Sequence, residues 1–366
     1  MSDPMIGRRA LLRGAGGLAA LAALPSLAAC GTGSSRAAST GSGGAKSLTV
    51  RNGGGAFGEA LQKAIYTPFT KETGIAVKVT NIQGTQMLAQ IKQGRPQFDL
   101  IDNSMMDHAK FAVQDALEKL EFDRIKSFKA AKLPASMVSE HSVGKGFYAT
   151  TLAYRTDAFG GRKPESWADF WDAKAFKGSR SMCNPDADLP ELEFALLADG
   201  VELDKLYPLD VDRAFKVMDR IRADVKKYWD SGPLPGVLLS RQEVTISTVW
   251  HGRLNELIQQ GAPLAYQLNG ARRQVQGYAI PKGAANVDAS YQLIGYSLRS
   301  DVQANLAKVY PTNPAVQSAY DKLTEKESAG LAGAPEYYDK GFDVDVNWWL
   351  RNEAAITQRW LEWARG

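Results

Sequence analysis

The chain is poor in the residues that thiol and metal chemistry need. Its 366 residues include 2 cysteines, Cys30 and Cys183, and 3 histidines, His108, His141 and His251. No two histidines stand in a His-x-x-x-His spacing, which excludes the common helical zinc motif. Gly-x-Ser-x-Gly does not occur, so no nucleophile elbow is present. Net charge is also scarce. The formal value is +4, and Arg8, Arg9 and Arg13 against Asp3 supply half of it. Nothing here implies a patch for nucleic acid or an anionic membrane. The mostly apolar run Leu18–Leu27 is too short to span a bilayer comfortably, which takes about 20 residues.

What is present reads as an exported globular protein. Hydrophobic residues make up 44% and charged residues 23%, ordinary values for a soluble fold. The length exceeds what one core usually supports, so two lobes are expected. Residues 1–30 read as a signal peptide rather than fold. Arg8 and Arg9 open it, and Leu27-Ala28-Ala29-Cys30 closes it. That ending resembles a bacterial lipobox, which implies acylation at Cys30 and a lipid anchor; an ordinary signal peptide is the alternative. The arginine pair is a partial match to a twin-arginine signal, so export by Tat or Sec both stay open. Residues 31–46, rich in Gly, Ser, Ala and Thr, form a flexible tether. With Cys30 lipidated, Cys183 is left alone and no intramolecular disulfide can form; Cys183 then reads as a small buried hydrophobe.

Ser47 to Thr150 alternates strand and helix patterns, which argues a parallel sheet. Leu48–Asn52 is a strand, Ala56–Thr73 a helix stopped by Gly74, Ile75–Thr80 a strand, Thr85–Gln93 a helix and Asp99–Asp102 a strand. Between the first strand and helix lies Gly53-Gly54-Gly55-Ala56-Phe57-Gly58, a G-x-G-x-x-G. A dinucleotide site also wants an acid at the end of the next strand, and Thr80 and Asn81 stand there instead. The other reading is that Gly54 and Gly55 offer free N–H groups at a helix N-terminus to a polar ligand.

The most informative stretch runs from Glu243 to Lys282. Val244–Val249 reads as a strand that delivers Trp250 and His251 to its C-terminal end, where open α/β sheets bind ligands. Gly252 opens a helix over Arg253–Gln260, and a later strand reaches Tyr278-Ala279-Ile280-Pro281. This pattern resembles the solute-binding proteins of ABC importers, in particular the spermidine/putrescine-type group. Pro68-Phe69-Thr70-Lys71-Glu72-Thr73-Gly74-Ile75, Phe98-Asp99-Leu100-Ile101, Glu165-Ser166-Trp167-Ala168-Asp169-Phe170-Trp171 and Tyr310-Pro311-Thr312-Asn313 resemble the family at matching places. The resemblance extends from about Ser47 to the end.

It implies a two-lobed α/β fold of the type II periplasmic-binding-protein class. Residues 47–150 and 281–366 would form lobe 1, with the C-terminal helices, and 151–280 lobe 2, joined by crossover strands near Thr150 and Tyr278. The protein would be a periplasmic monomer without cofactor, metal or nucleic acid, handing a small solute to a membrane permease. The ligand-binding candidates are Gly54, Gly55, Asp102, Asn103, Asp186, Ser231, Trp250, Gln274, Gln276 and Asn313. Trp250 stands where the family stacks a tryptophan on its ligand. Asp186 and Asp188, at the start of an expected helix, could hold an ammonium or simply suit the helix dipole; Asp102 and Asp230 are further acids. Where polyamine binders carry a tryptophan and an aspartate on the second crossover, this chain has Gln274 and Gln276. Gly53–Gly55 and Met105-Met106 replace first-lobe aromatics. The ligand is therefore expected to be small, with a polar or anionic end and at most one positive charge. Two alternatives stay open: an exported enzyme on the same scaffold, and a ferric-ion binder, since Tyr337-Tyr338 resembles a tyrosine pair of iron-binding relatives. The tryptophans of Val346–Ala364 read as core packing.

Overall fold

The structure is a computed structural model and describes residues 47–366. Cys30, the leader and the tether lie outside the described residues.

The first strands form as the apolar alternation dictates. In β1 (Ser47–Arg51) Leu48 and Val50 are fully buried. The chain then coils through 55–73, with a π-helical turn at Gln62–Tyr66 that brings Ala64, Ile65 and Tyr66 inward. Gly74 stops it at φ +76°, its N–H bonded to the Thr70 carbonyl, a left-handed cap that glycine adopts without strain. β2 (Ala76–Thr80) and β3 (Leu100–Ser104) both pair with β1 in parallel. The expected β-α-β-α-β unit is present.

Two long strands organise the rest. β4 (Val143–Arg155) and β8 (Leu264–Ala279) run antiparallel along nearly their whole lengths. β3 pairs with one end of β8, Ile101 opposite Ala279. β7 (Ile246–Trp250) pairs with the other end of β4, Trp250 opposite Thr150. β5 (Arg180–Cys183) lies parallel to both β7 and β6 (Val225–Trp229). The order is β2-β1-β3-β8-β4-β7-β5-β6: two half-sheets, one per lobe, sharing two central strands. The pairing slips between Thr150 and Leu152, a bulge of the kind that bends a strand. Short pairings, β9 (Asn313–Pro314) on β4 and β10 (Phe342–Asp343) on β8, tie later segments to this waist.

Each half-sheet has its own apolar core. One gathers Leu48, Phe69, Leu100, Tyr278 and Leu293. The other gathers Trp167, Phe170, Phe194, Met218 and Ile246. Phe147, Ala149, Leu268, Ala271 and Val275 pack at the waist between them.

The packing departs from the expected lobe assignment at the C-terminus. Helices Val287–Ser297 and Ser300–Val309 do pack in the first core. The last helix, Val346–Arg365, places Trp348, Trp349, Ile356, Trp360 and Trp363 in the second core instead. Its apolar stripe recurs at helical spacing and so buries as one face. The polar edges of that face are matched to the second lobe. Trp349 Nε1 donates to Glu193 at 2.7 Å, Trp363 Nε1 to Asp219 at 2.9 Å, and Arg359 pairs with Asp212 at 2.6 Å. One local expectation also changes. Asp186 and Asp188 do not start a helix; they sit in the loop between β5 and a helix that begins only at Leu192.

Candidate functional site

A cleft of about 360 Å³ lies between the half-sheets. One wall comes from Phe57, from Asn103 to Lys110 and from Tyr310 to Thr312. The facing wall comes from Pro185 to Leu189 and from Trp250 to Arg253; Tyr148, Gln274 and Gln276 on the central strands form its floor, and Glu353 of the last helix reaches its edge. Local chemistry sets these positions. Ser104 ends β3 and caps the helix Met105–Ala112, its hydroxyl accepting the Asp107 N–H at 3.1 Å, so Asp107 and Lys110 follow on the first turns. β7 ends at Trp250, and the chain turns at Gly252, where a Cβ would come 2.8 Å from the Pro311 carbonyl oxygen. Only glycine lets the two walls approach so closely there.

Of the residues expected from sequence, Asn103, Asp186, Asp188, Trp250, Gln274 and Gln276 line this cleft. The others do not. Gly54 and Gly55 take φ of +67° and +63°, outside the lining, and the Gly54 N–H is bonded to Asn52 Oδ1 at 2.8 Å. Asp102 is 4% exposed and pairs with Lys145 Nζ at 2.6 Å. Burial pushes the Asp102 carboxyl pKa up and the Lys145 amine down, each pulled back by its partner. Asn313 is fully buried; its amide donates to the Phe147 carbonyl and accepts the Gly333 N–H, both at 3.0 Å. Ser231 is exposed, its carbonyl accepting the Leu234 N–H at 3.1 Å. Asp230 is not in the lining either. These six residues stand at suggestive motif positions, and motif position does not reveal which way a side chain turns.

Phe57, Asp107, Lys110, Tyr148, Arg253, Tyr310 and Glu353 line the cleft as well. Phe57 lies inside the glycine-rich stretch and Tyr310 inside a family-like one, and Tyr148 stands on β4 just before Thr150. Glu353 carries no local signal, because it reaches the cleft only through the packing of the last helix.

Four aromatic rings define the cleft's shape. Tyr148 meets Trp250 edge-on at 5.4 Å between centroids, and Phe57 meets Tyr310 at 5.2 Å. Trp229, fully buried, packs its ring against Trp250 at 5.5 Å from behind. His251 is buried, its Nδ1 at 3.1 Å from the Ala149 carbonyl, and burial lowers its pKa. It stays neutral at physiological pH.

The charges are largely matched in pairs. Asp188 faces Arg272, at 3.4 Å, and Arg272 reaches Glu193 at 3.0 Å; all three side chains are 1% exposed or less. Burial opposes the Arg272 charge, yet Asp188, Glu193 and Glu191 outweigh it and hold the guanidinium above its ordinary pKa. Lys110 pairs with Glu353 at 2.8 Å. Among the lining residues this leaves Asp107, Asp186 and Arg253 without an ion pair. Arg51, behind the lining at the end of β1, feels the field of Asp107. Tyr337 and Tyr338 lie outside the cleft; Arg273 stacks on Tyr338 at 4.2 Å and Lys340 on Tyr337 at 5.3 Å. Among the described residues, no group of three His, Cys, Asp or Glu side chains is arranged to hold a metal ion.

Comparison with known proteins agrees with this geometry. The family model of bacterial extracellular solute-binding proteins matches residues 64–333. The gamma-aminobutyric acid-binding protein of Pseudomonas aeruginosa is 26% identical over 326 residues, covering 87% of this chain and 91% of that protein. Spermidine/putrescine-binding periplasmic protein 1 of Haemophilus influenzae is 25% identical over 267 residues, covering 70% of this chain and 73% of that one. The crystal structure of an ABC transporter substrate-binding protein from Bradyrhizobium japonicum superposes with a TM-score of 0.81 at 32% identity, covering 87% of this chain and 99% of that one. The enzyme and iron readings find no support among these relatives. A two-lobed sheet, a small polar cleft between its halves and a matching family model over most of the described chain lead to one conclusion: this chain belongs to the bacterial extracellular solute-binding proteins, and it is a solute-binding component of an ABC importer, not an enzyme.

Proposed function

We propose that the cleft captures a small amino-acid-like solute with one ammonium and one anionic end, of the γ-aminobutyrate type, rather than a linear polyamine. The observation that carries this is the charge inventory of the lining. Asp188 and Glu353 are already paired with cations, so only Asp107 and Asp186 remain for a ligand cation, and Asp107 shares its field with Arg51. A triamine would bury an ammonium group without a counter-charge, and a diamine would take up both acids and leave Arg253 unmatched, at several kcal/mol for each uncompensated buried charge even after relaxation. One ammonium, by contrast, is served by the aromatic faces at about 0.5–2 kcal/mol and by one acid. Arg253 is the unpaired cation for the anionic end. The name of the Pseudomonas relative, a gamma-aminobutyric acid-binding protein, favours the same class.

Calorimetric titration tests this directly. γ-Aminobutyrate should bind at micromolar Kd or below, and putrescine and spermidine should bind at least about tenfold more weakly. Submicromolar binding of either polyamine overturns the reading. The cleft residues Asn103, Asp186, Trp250, Gln274 and Gln276 are the proposed contacts. The mature protein is a monomer held to the membrane by acylated Cys30, with export by Tat or Sec. Cys30→Ala should release it from the membrane fraction or block its processing; unchanged attachment refutes the anchor.

A further inference from the structure

The structure assigns Asp188 a role that its place in the cleft wall disguises: it is a positioning residue that fixes the ligand-facing side chains of Trp250 and Gln274, and it does not receive the ligand's ammonium itself. Its side chain is 1% exposed. Oδ2 accepts the Thr150 hydroxyl and the Trp250 indole N–H, both at 2.8 Å. Oδ1 accepts the Leu189 N–H at 2.8 Å and the side-chain amide of Gln274. A carboxylate offers about four acceptor directions, and all are filled. Arg272 supplies the counter-charge and is itself held by the Leu189 carbonyl at 2.7 Å, the Pro190 carbonyl at 2.9 Å and Glu193 at 3.0 Å.

The consequence is specificity. Thr150 stands on β4, Gln274 on β8 and Trp250 at the end of β7, so one carboxylate ties together the three strands that meet at the floor of the cleft. Because a carboxylate can only accept, it must take the NH2 end of Gln274 and so leaves the Gln274 carbonyl as that side chain's free group. It also holds the indole by its N–H, so that Trp250 presents a ring rather than a donor. The cleft thereby offers a donor-bearing ligand group an amide oxygen and an aromatic surface. This rests on the amine-bearing ligand proposed above and deepens it.

The test has one arm without ligand and one with. In 15N spectra of the ligand-free protein, the Trp250 indole N–H, assigned by its loss in Trp250→Phe, should exchange slowly with water. Asp188→Asn should move that resonance. Gln274→Met, which keeps the Asp188–Arg272 ion pair, should move it as well and stands in if Asp188→Asn fails to fold. With γ-aminobutyrate as probe, Asp188→Asn and Trp250→Phe should each weaken binding by about tenfold. The double variant should be scarcely weaker than the worse single one, since both break one unit. An indole resonance unmoved by both substitutions overturns the proposal. So do losses that multiply in the double variant, the result expected of a direct ammonium ligand. If γ-aminobutyrate fails to bind the wild-type protein, the ligand assignment falls, while the ligand-free arm still decides the role of Asp188.

Discussion

Glu191 is an acid held where water does not reach it. It is fully buried; Oε1 accepts the Thr248 hydroxyl at 2.8 Å and the Cys183 N–H, while Oε2 has no partner among the described residues. Burial pushes its pKa up to about 7, although the Cys183 N–H, Arg272 and Thr248 pull the other way. A carboxyl whose pKa rises on folding binds its proton more tightly in the native state. Its favourable contribution is therefore complete below the ordinary Glu range near 4.3 and is lost as pH climbs through about 7. Urea denaturation should show the wild type losing on the order of 2–3 kcal/mol between pH 5 and pH 8. Glu191→Gln, which keeps the acceptor and cannot ionise, should flatten that slope and be the more stable protein at pH 8; an unchanged slope would place the ionisation elsewhere. Trp250 is a second residue with a divided role. Its N–H is bonded to Asp188 and its ring borders the cleft. Trp250→Ala should weaken ligand binding about tenfold or more with the melting temperature nearly kept. A large fall in melting temperature with unchanged affinity would mark it as core.

At the scale of elements, the last helix offers the sharpest comparison. Trp349 and Trp360 are both essentially buried, but Trp349 Nε1 donates to Glu193 while Trp360 Nε1 has no partner among the described residues. Removing the first donor takes a bond from the acid that already serves Arg272; removing the second deletes an unpaired polar group. Trp349→Phe should thus cost more, by about 1–3 kcal/mol beyond Trp360→Phe, as measured by chemical denaturation; equal costs would mean that only ring volume matters. The helix itself was legible: apolar positions 349, 356, 360 and 363 recur at its period. Its destination was not, because periodicity says that a face is buried and not which lobe buries it. The same limit runs through the site. Trp250 and Gln274 were found because a strand end and a crossover place them in the cleft. Asn313 and Asp102 stand in equally suggestive stretches, yet their side chains turn inward to Phe147, Gly333 and Lys145. Asp186 and Asp188 differ by two residues in a loop, and only tertiary contacts decide that one is exposed and the other saturated.

Across the whole molecule, the lobes meet through the central strands and, at the cleft edge, through Lys110 and Glu353. Lys110 follows β3, and Glu353 rides on the helix anchored to the second core. Their side chains are 39% and 28% exposed, so the pair is worth at most about 1 kcal/mol. That suffices to bias an equilibrium between open and closed forms by a few-fold. Glu353→Ala should weaken ligand affinity by roughly two- to fivefold and remove part of its salt dependence, and the swap Lys110→Glu with Glu353→Lys should restore both. Affinity in the single variant equal to wild type at every ionic strength would rule the pair out as a closing contact. The placement of the last helix also bears on how the chain comes to be folded. Five buried side chains of the second core belong to the twenty-residue helix Val346–Arg365, while their partners lie near Trp167, Phe194 and Phe215, far back along the chain. Contacts so distant in sequence form late and slowly. A growing chain therefore cannot complete its second lobe, or the cleft wall that the lobe carries, until the helix Val346–Arg365 has been made and has docked.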